Sequence, residues 1–209
     1  SMDGLRMLDV SVPRSPVEVG WGATPGEALG GAVSGTLAFV ADRGTGVHVF
    51  DVSEPAAVRR VGSVDTPGDA ADVAVSGSRL FVADRASGLR VLDVSDPARP
   101  VELASVPTGG AAESVAATGD HVFVAAREGG VMVLDASGPG APVSEATIDV
   151  GGSAWDVTIR GDRAYVAGVG SYAADPLDRY HHIWGVESAE IEASGLSAVT
   201  VVDIGRPEA

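Results

Sequence analysis

Gly4, Gly46, Gly88 and Gly130 stand 42 residues apart, and Asp9, Asp51, Asp93 and Asp135 keep the same step. Gly35, Gly77, Gly119 and Gly161 follow it too, as do Pro13, Pro55, Pro97 and Pro139. A fixed period of about 40–45 residues filled with short strands is the pattern of one propeller blade per repeat. The period therefore predicts one array of blades over residues 1–209, a single domain rather than two independent ones.

Residues 69–106 serve as the reference unit. Asp72-Val73-Ala74-Val75 reads as strand A and ends at Ser76-Gly77-Ser78, a turn where glycine supplies a positive φ. Leu80-Phe81-Val82-Ala83 is strand B. Leu89-Arg90-Val91-Leu92-Asp93-Val94 alternates apolar and polar residues, as a half-buried strand should, and is strand C. Val101 to Val106 is strand D. Four strands per unit in up-and-down order predict an all-β fold, a β-propeller of four-stranded antiparallel blades. Only 5% of the chain is aromatic, so Val, Ala, Leu and Ile must fill its core.

The stretches GLRVLDVSDPARPVEL and DVAVSGSRLFVADRASG resemble the LVIVD repeat, a β-propeller family of bacterial and archaeal surface proteins. The resemblance covers about residues 4–168 and the last strand. It implies the propeller fold and an extracellular or cell-surface setting, and it carries over no catalytic residue. No leader pattern is visible in the chain, and Ser1-Met2 reads as a cloning remnant.

Two departures from the period stand out. Leu177 occupies the place where the last strand C should close with aspartate, and the motif returns 26 residues later at Val199 to Asp203. The extra segment, residues 171–196, is a B-to-C insertion carrying Tyr180, His181, His182 and Trp184. A loop of this length is usually functional or disordered, and this one is expected to rise over the channel as a lid, cap or docking element. The second departure is the strand count, with five C strands but four each of A, B and D. About four blades plus one surplus strand point to part of a larger or composite ring, completed by further sequence, a second chain or a second copy. Open sheet edges are normally covered or paired, so the two ends are expected not to face water.

With strand A innermost, the D-to-A and B-to-C loops share one face around the channel. Glu27, Asp69, Asp72, Glu113, Ser114, Trp155 and Asp156 fall on it and differ from blade to blade. A residue that departs from its repeat equivalents is not required by the blade itself. Arg43, Arg85 and Arg127 recur in the B-to-C loops, read either as solvated neighbours of turn aspartates or as guanidiniums able to hold a carboxylate or phosphate. Asp9, Asp51, Asp93, Asp135 and Asp203 repeat before turns, which argues for a structural role in accepting backbone N–H bonds.

Net charge is −15, which opposes a nucleic-acid partner and favours cations or a basic protein face. With no cysteine, neither disulfides nor thiolate chemistry is available, and no apolar run is long enough to span a bilayer. No nucleophile elbow, phosphate loop or dinucleotide fingerprint appears. No cofactor and no metal site is expected.

The leading expectation is a non-catalytic module that binds a protein, glycan or small ligand on the channel face. Its contacts would be Glu27, Asp69, Asp72, Trp155, Tyr180, Trp184, Arg43, Arg85 and Arg127. The alternatives are an acid/base enzyme beneath the 171–196 lid, using His181, His182, Glu113 and Asp156, and an assembly subunit that completes a ring with another chain.

Overall fold

Glycine opens each strand C because nothing larger fits. Gly46, Gly88 and Gly130 hold φ of 74°, 76° and 71°. A Cβ on Gly88 would stand 2.5 Å from the carbonyl oxygen of Val106, the last residue of the neighbouring strand D. Both the left-handed backbone and the close approach exclude a side chain. The second glycine series marks A-to-B turns, where Gly77 holds φ of 59° in open space.

The computed structural model describes residues 4–170 and 198–203. Strands β1 (Gly4–Asp9) and β2 (Val17–Ala23) form a two-stranded half-blade of types C and D. Three complete blades follow, each ordered A-B-C-D. They are β3 (Gly30–Ser34), β4 (Leu37–Ala41), β5 (Val47–Asp51) and β6 (Arg59–Val64); then β7 (Asp72–Ser76), β8 (Arg79–Ala83), β9 (Leu89–Asp93) and β10 (Val101–Val106); then β11 (Ser114–Thr118), β12 (His121–Ala125), β13 (Val131–Asp135) and β14 (Val143–Ile148). The last sheet has β15 (Gly152–Arg160), β16 (Arg163–Gly170) and β17 (Ala198–Asp203), types A, B and C. All neighbours within a sheet are antiparallel. The expected five C strands and four each of A, B and D are thus present. The insertion connects β16 to β17 and lies outside the described residues, together with Tyr180, His181, His182 and Trp184.

The core lies between blades. Phe39, Ala41, Val47 and Val49 of one blade pack on Val73, Leu80, Val82 and Leu92 of the next. Phe81, Ala83, Leu89 and Val91 repeat the arrangement on Val115, Val122, Val124 and Leu134. Phe123, Ala125 and Val131 then meet Val157, Ala164 and Val166. Each blade presents one apolar face forward and one backward, so alternation within a strand fills two interfaces at once. The repeated aspartates do what their position suggests. Asp9, Asp51, Asp93 and Asp135 accept the backbone N–H two residues on, at 2.8, 3.0, 2.8 and 2.7 Å. The serine two residues on holds all four carboxyls below their ordinary value, chiefly through its hydroxyl at Asp51 and through its backbone N–H at Asp9, Asp93 and Asp135.

The expectation that both ends are covered is not met within the described residues of one chain. Strand β1 pairs only with β2, and β17 only with β16. Leu8 is 54% exposed, although its equivalents Phe50, Leu92 and Leu134 are buried.

Candidate functional site

Arg43, Arg85 and Arg127 stand at the same place in three successive B-to-C loops, each in a left-handed conformation with φ of 43° to 44°. That conformation costs a non-glycine residue on the order of 1 kcal/mol. Two backbone hydrogen bonds to the next blade offset it. Arg43 exchanges N–H and C=O with Ala70, Arg85 with Ala112, and Arg127 with Ala154, at 2.9 to 3.0 Å. These bridges bring the B-to-C and D-to-A loops together on one face, as the repeat pattern predicts.

The guanidiniums then thread between carboxylates. Arg43 lies 2.6 Å from Glu27 and 3.7 Å from Asp69. Arg85 lies 3.6 Å from the same Asp69 and 3.2 Å from Glu113. Arg127 lies 2.5 Å from Glu113, and its Cζ sits 4.3 Å from the centre of the Trp155 ring. The result is a belt across the face formed by the B-to-C and D-to-A loops, Glu27–Arg43–Asp69–Arg85–Glu113–Arg127–Trp155. Trp155 is 43% exposed at its end. Glu27 and Asp69 hold Arg43 above its ordinary value in concert, Glu27 most strongly. The exposed pairs of Arg43 with Glu27 and Asp69 contribute about 0–1 kcal/mol each, whereas Glu113, 7% exposed, holds Arg85 and Arg127 from a nearly buried position.

Beside the belt, Gly30, Asp72, Ser114 and Asp156 occupy one position in four successive A strands. The Ser114 hydroxyl is 3.0 Å from Asp72 Oδ2 and 2.7 Å from Asp156 Oδ1. Asp72 Oδ2 also accepts the Val115 N–H at 3.0 Å, and Ser114 Oγ faces the Val157 N–H at 3.4 Å. Each side chain thus reaches the amide one position on in the next blade. Burial pushes the Asp72 carboxyl above its ordinary value against these hydrogen bonds, and the Asp156 charge adds to the rise.

Asp42 and Asp84, which open the B-to-C turns, are fully buried rather than surface turn residues. Asp84 accepts the Thr66 hydroxyl at 2.7 Å and the Gly68 N–H at 2.9 Å, with Arg90 Nε 3.6 Å away. Asp42 accepts the Gly26 N–H at 2.7 Å and faces His48 Nε2 at 3.3 Å. The sequence reading passes over His48, Thr66 and Arg90. A signal for His48 and Arg90 was present, since their place is basic where the Asp42 place is acidic and becomes Met132 where it is Ala126. On the opposite face, Arg79 donates to the carbonyls of Ala136 and Gly138 beside an open cleft between two blades.

The structure therefore brings Glu27, Asp69, Glu113, Trp155 and the three arginines into one belt. It sets Asp72 and Asp156 on Ser114 beside it. Among the described residues no group of three or more histidine or acidic side chains is arranged to hold a metal ion. No helix among them is long and apolar enough to cross a membrane.

Antiparallel four-stranded sheets stacked face to face, with their A strands side by side, define a β-propeller repeat protein. The LVIVD-repeat model matches residues 25–66, 67–108, 109–149 and 151–172, and the chain belongs to that family. No curated protein matches it. Among solved structures, one from Desulfotomaculum acetoxidans, described as functionally unknown, is 13% identical with a TM-score of 0.68, covering 79% of this chain and 56% of that one. BamB from Moraxella catarrhalis is 16% identical with a TM-score of 0.55, covering 73% and 47%. The computationally designed Ika8 protein is 11% identical with a TM-score of 0.58, covering 72% and 46%. The chain spans about half the length of these three. Such identities show the fold alone.

Proposed function

We propose that the chain is a non-catalytic binding module whose belt face takes a protein partner. The observation that carries this reading is the belt ending in a half-exposed Trp155 stacked on Arg127. Aromatic and arginine side chains dominate binding energy at protein interfaces, and charges around them steer and orient the partner. Each guanidinium of the belt already faces a carboxylate, which disfavours capture of a free phosphate and favours a surface of mixed charge. The net charge of −15 selects a partner face that is basic around an apolar patch.

The carboxylates that would serve acid/base chemistry are occupied differently. Asp72 holds Ser114 and the backbone amides of Val73 and Val115. These bonds tie blade to blade. The roles of Asp72 in this geometry are structural, which supports the binding reading.

The test is quantitative capture of partners from a native extract on immobilised protein. Wild type, Trp155→Ala and the rim control Leu103→Ala are compared. A genuine partner is retained by wild type and by the control, and falls at least about tenfold on Trp155→Ala. Equal retention on all three would remove the belt from the binding surface.

A further inference from the structure

We propose that the loop pair carrying Arg127 is the adjustable part of the belt, a glycine joint that lets this one arginine swing, while the pairs carrying Arg43 and Arg85 are locked. The three B-to-C loops share one backbone shape. Asp42, Asp84 and Ala126 donate their N–H to the carbonyls of Gly46, Gly88 and Gly130 at 2.8, 2.9 and 2.8 Å. Gly46, Gly88 and Gly130 in turn donate to the carbonyls of the three arginines at 3.2, 3.0 and 3.0 Å. What differs is the side chains that hold each loop to the D-to-A loop beside it.

Two locks secure the first two pairs. On the D-to-A side, Thr24-Pro25-Gly26 and Thr66-Pro67-Gly68 each contain a proline that fixes its own φ. On the B-to-C side, the buried carboxylates of Asp42 and Asp84 reach across to the amides of Gly26 and Gly68 at 2.7 and 2.9 Å. A buried, charge-assisted bond of this kind is among the stronger ties available to a loop.

The third pair departs from both at once. Its D-to-A loop reads Thr108-Gly109-Gly110, and Gly109 holds φ of 72°, which proline cannot adopt. Ala126 takes the place of the carboxylate, and the Thr108 hydroxyl turns to its own loop, donating to the Gly110 carbonyl at 2.7 Å. Gly129 replaces Thr45 and Ser87. Gly109, Gly110, Gly129 and Gly130 thus gather in one loop pair, where backbone freedom is greatest. Place in the array does not account for this, because the first and third complete blades each have a sheet on either side. The loop so freed carries Arg127, whose Cζ lies 4.3 Å from the Trp155 ring centre. Its use in fitting a partner rests on the binding function proposed above, but the motion is measured without a partner, so either can fail alone.

Amide exchange of the 209-residue protein, followed residue by residue by NMR, compares like with like. The amides of residues 126, 127, 129 and 130 make the same backbone bonds as those of 84, 85, 87 and 88 and of 42, 43, 45 and 46. After correction for intrinsic rates, protection in the third set is expected to be at least about tenfold lower than in the other two. Equal protection in all three, or greatest protection in the third, would overturn the proposal. A variant carrying Gly109→Pro, Ala126→Asp and Met132→Arg transplants the second pair's locks, with Thr108 and Gly110 placed as Thr66 and Gly68 are. Its third loop should gain protection to the level of the second, with β12 unchanged. Wild-type rates in a folded variant would show that these residues do not set the motion, and the proposal would fall. The wild-type comparison decides by itself if the variant does not fold.

Discussion

Asp42, Asp84 and Ala126 occupy one place in successive blades, and His48, Arg90 and Met132 occupy another. Where the first place is acidic the second is basic, and where the first is alanine the second is methionine. Asp42, Asp84 and Ala126 at the first place are fully buried, and the second place is buried at His48 and half-buried at Arg90 and Met132. The chain thus contains its own comparison of a buried charge pair with an apolar pair on the same backbone. Breaking one member of a buried pair strands the other, whereas replacing both by packed apolar groups is often neutral. Asp84→Ala should cost about 3 kcal/mol, because it also orphans the Thr66 hydroxyl and the Gly68 amide. Adding Arg90→Met, which copies the third blade, should recover at least about 1 kcal/mol. Urea unfolding of the two single variants and the double variant measures this. Strict additivity would show that the two side chains do not act as a pair.

His48 makes a pH prediction at the same scale. Burial lowers its pKa, the Asp42 charge opposes that, and Arg60 adds to the lowering. The folded chain therefore holds a neutral imidazole, and the unfolded chain binds the proton first as pH falls. Stability from this site is full above the ordinary histidine value and is lost as pH drops through it toward the folded value. The urea midpoint should fall between about pH 7.5 and about pH 5.5, and His48→Met should flatten that decline. An identical decline in the variant would assign the pH response to other groups, Asp72 and Asp84 excepted. Burial raises those two carboxyls, so they gain protons preferentially in the folded state and work in the opposite sense.

At the level of strands and loops, most of the architecture could be read from spacing alone. Glycine and proline recur because backbone geometry demands them, so Gly88 and Pro97 mark strand starts and turns without any side-chain information. The belt was half legible. Glu27, Asp69, Glu113 and the arginines are placed on one face by topology, but their pairing order depends on the left-handed Arg43, Arg85 and Arg127 bridging to the next blade. Spacing carries no sign of that bridge, because arginine is not a residue that ordinarily marks positive φ. The fourth blade shows the limit of the period. Val169 stands at the arginine place, yet it pairs with Ser153 and prolongs the hairpin, so the series of bridges stops at Arg127. Among the described residues the belt therefore ends at Trp155, which is 43% exposed. The insertion begins just past the same point.

For the whole molecule, stability should be graded along the array. A repeat protein is close to one-dimensional, and each unit draws on its own strands and on its two neighbours. The blade from β7 to β10 has a complete blade on either side, and Leu80, Leu89 and Leu92 within it are fully buried. The half-blade β1–β2 has a neighbour on one side only, with Leu8, Val19 and Trp21 on its open face. Amide exchange should therefore be slowest in β8 and β9, approaching the global unfolding limit, and fastest in β1 and β2. Exchange followed by mass spectrometry, strand by strand, reads this gradient. A flat profile from β1 to β16 would mean that the blades unfold as a single cooperative unit and that nearest-neighbour coupling between them is stronger than the open ends imply.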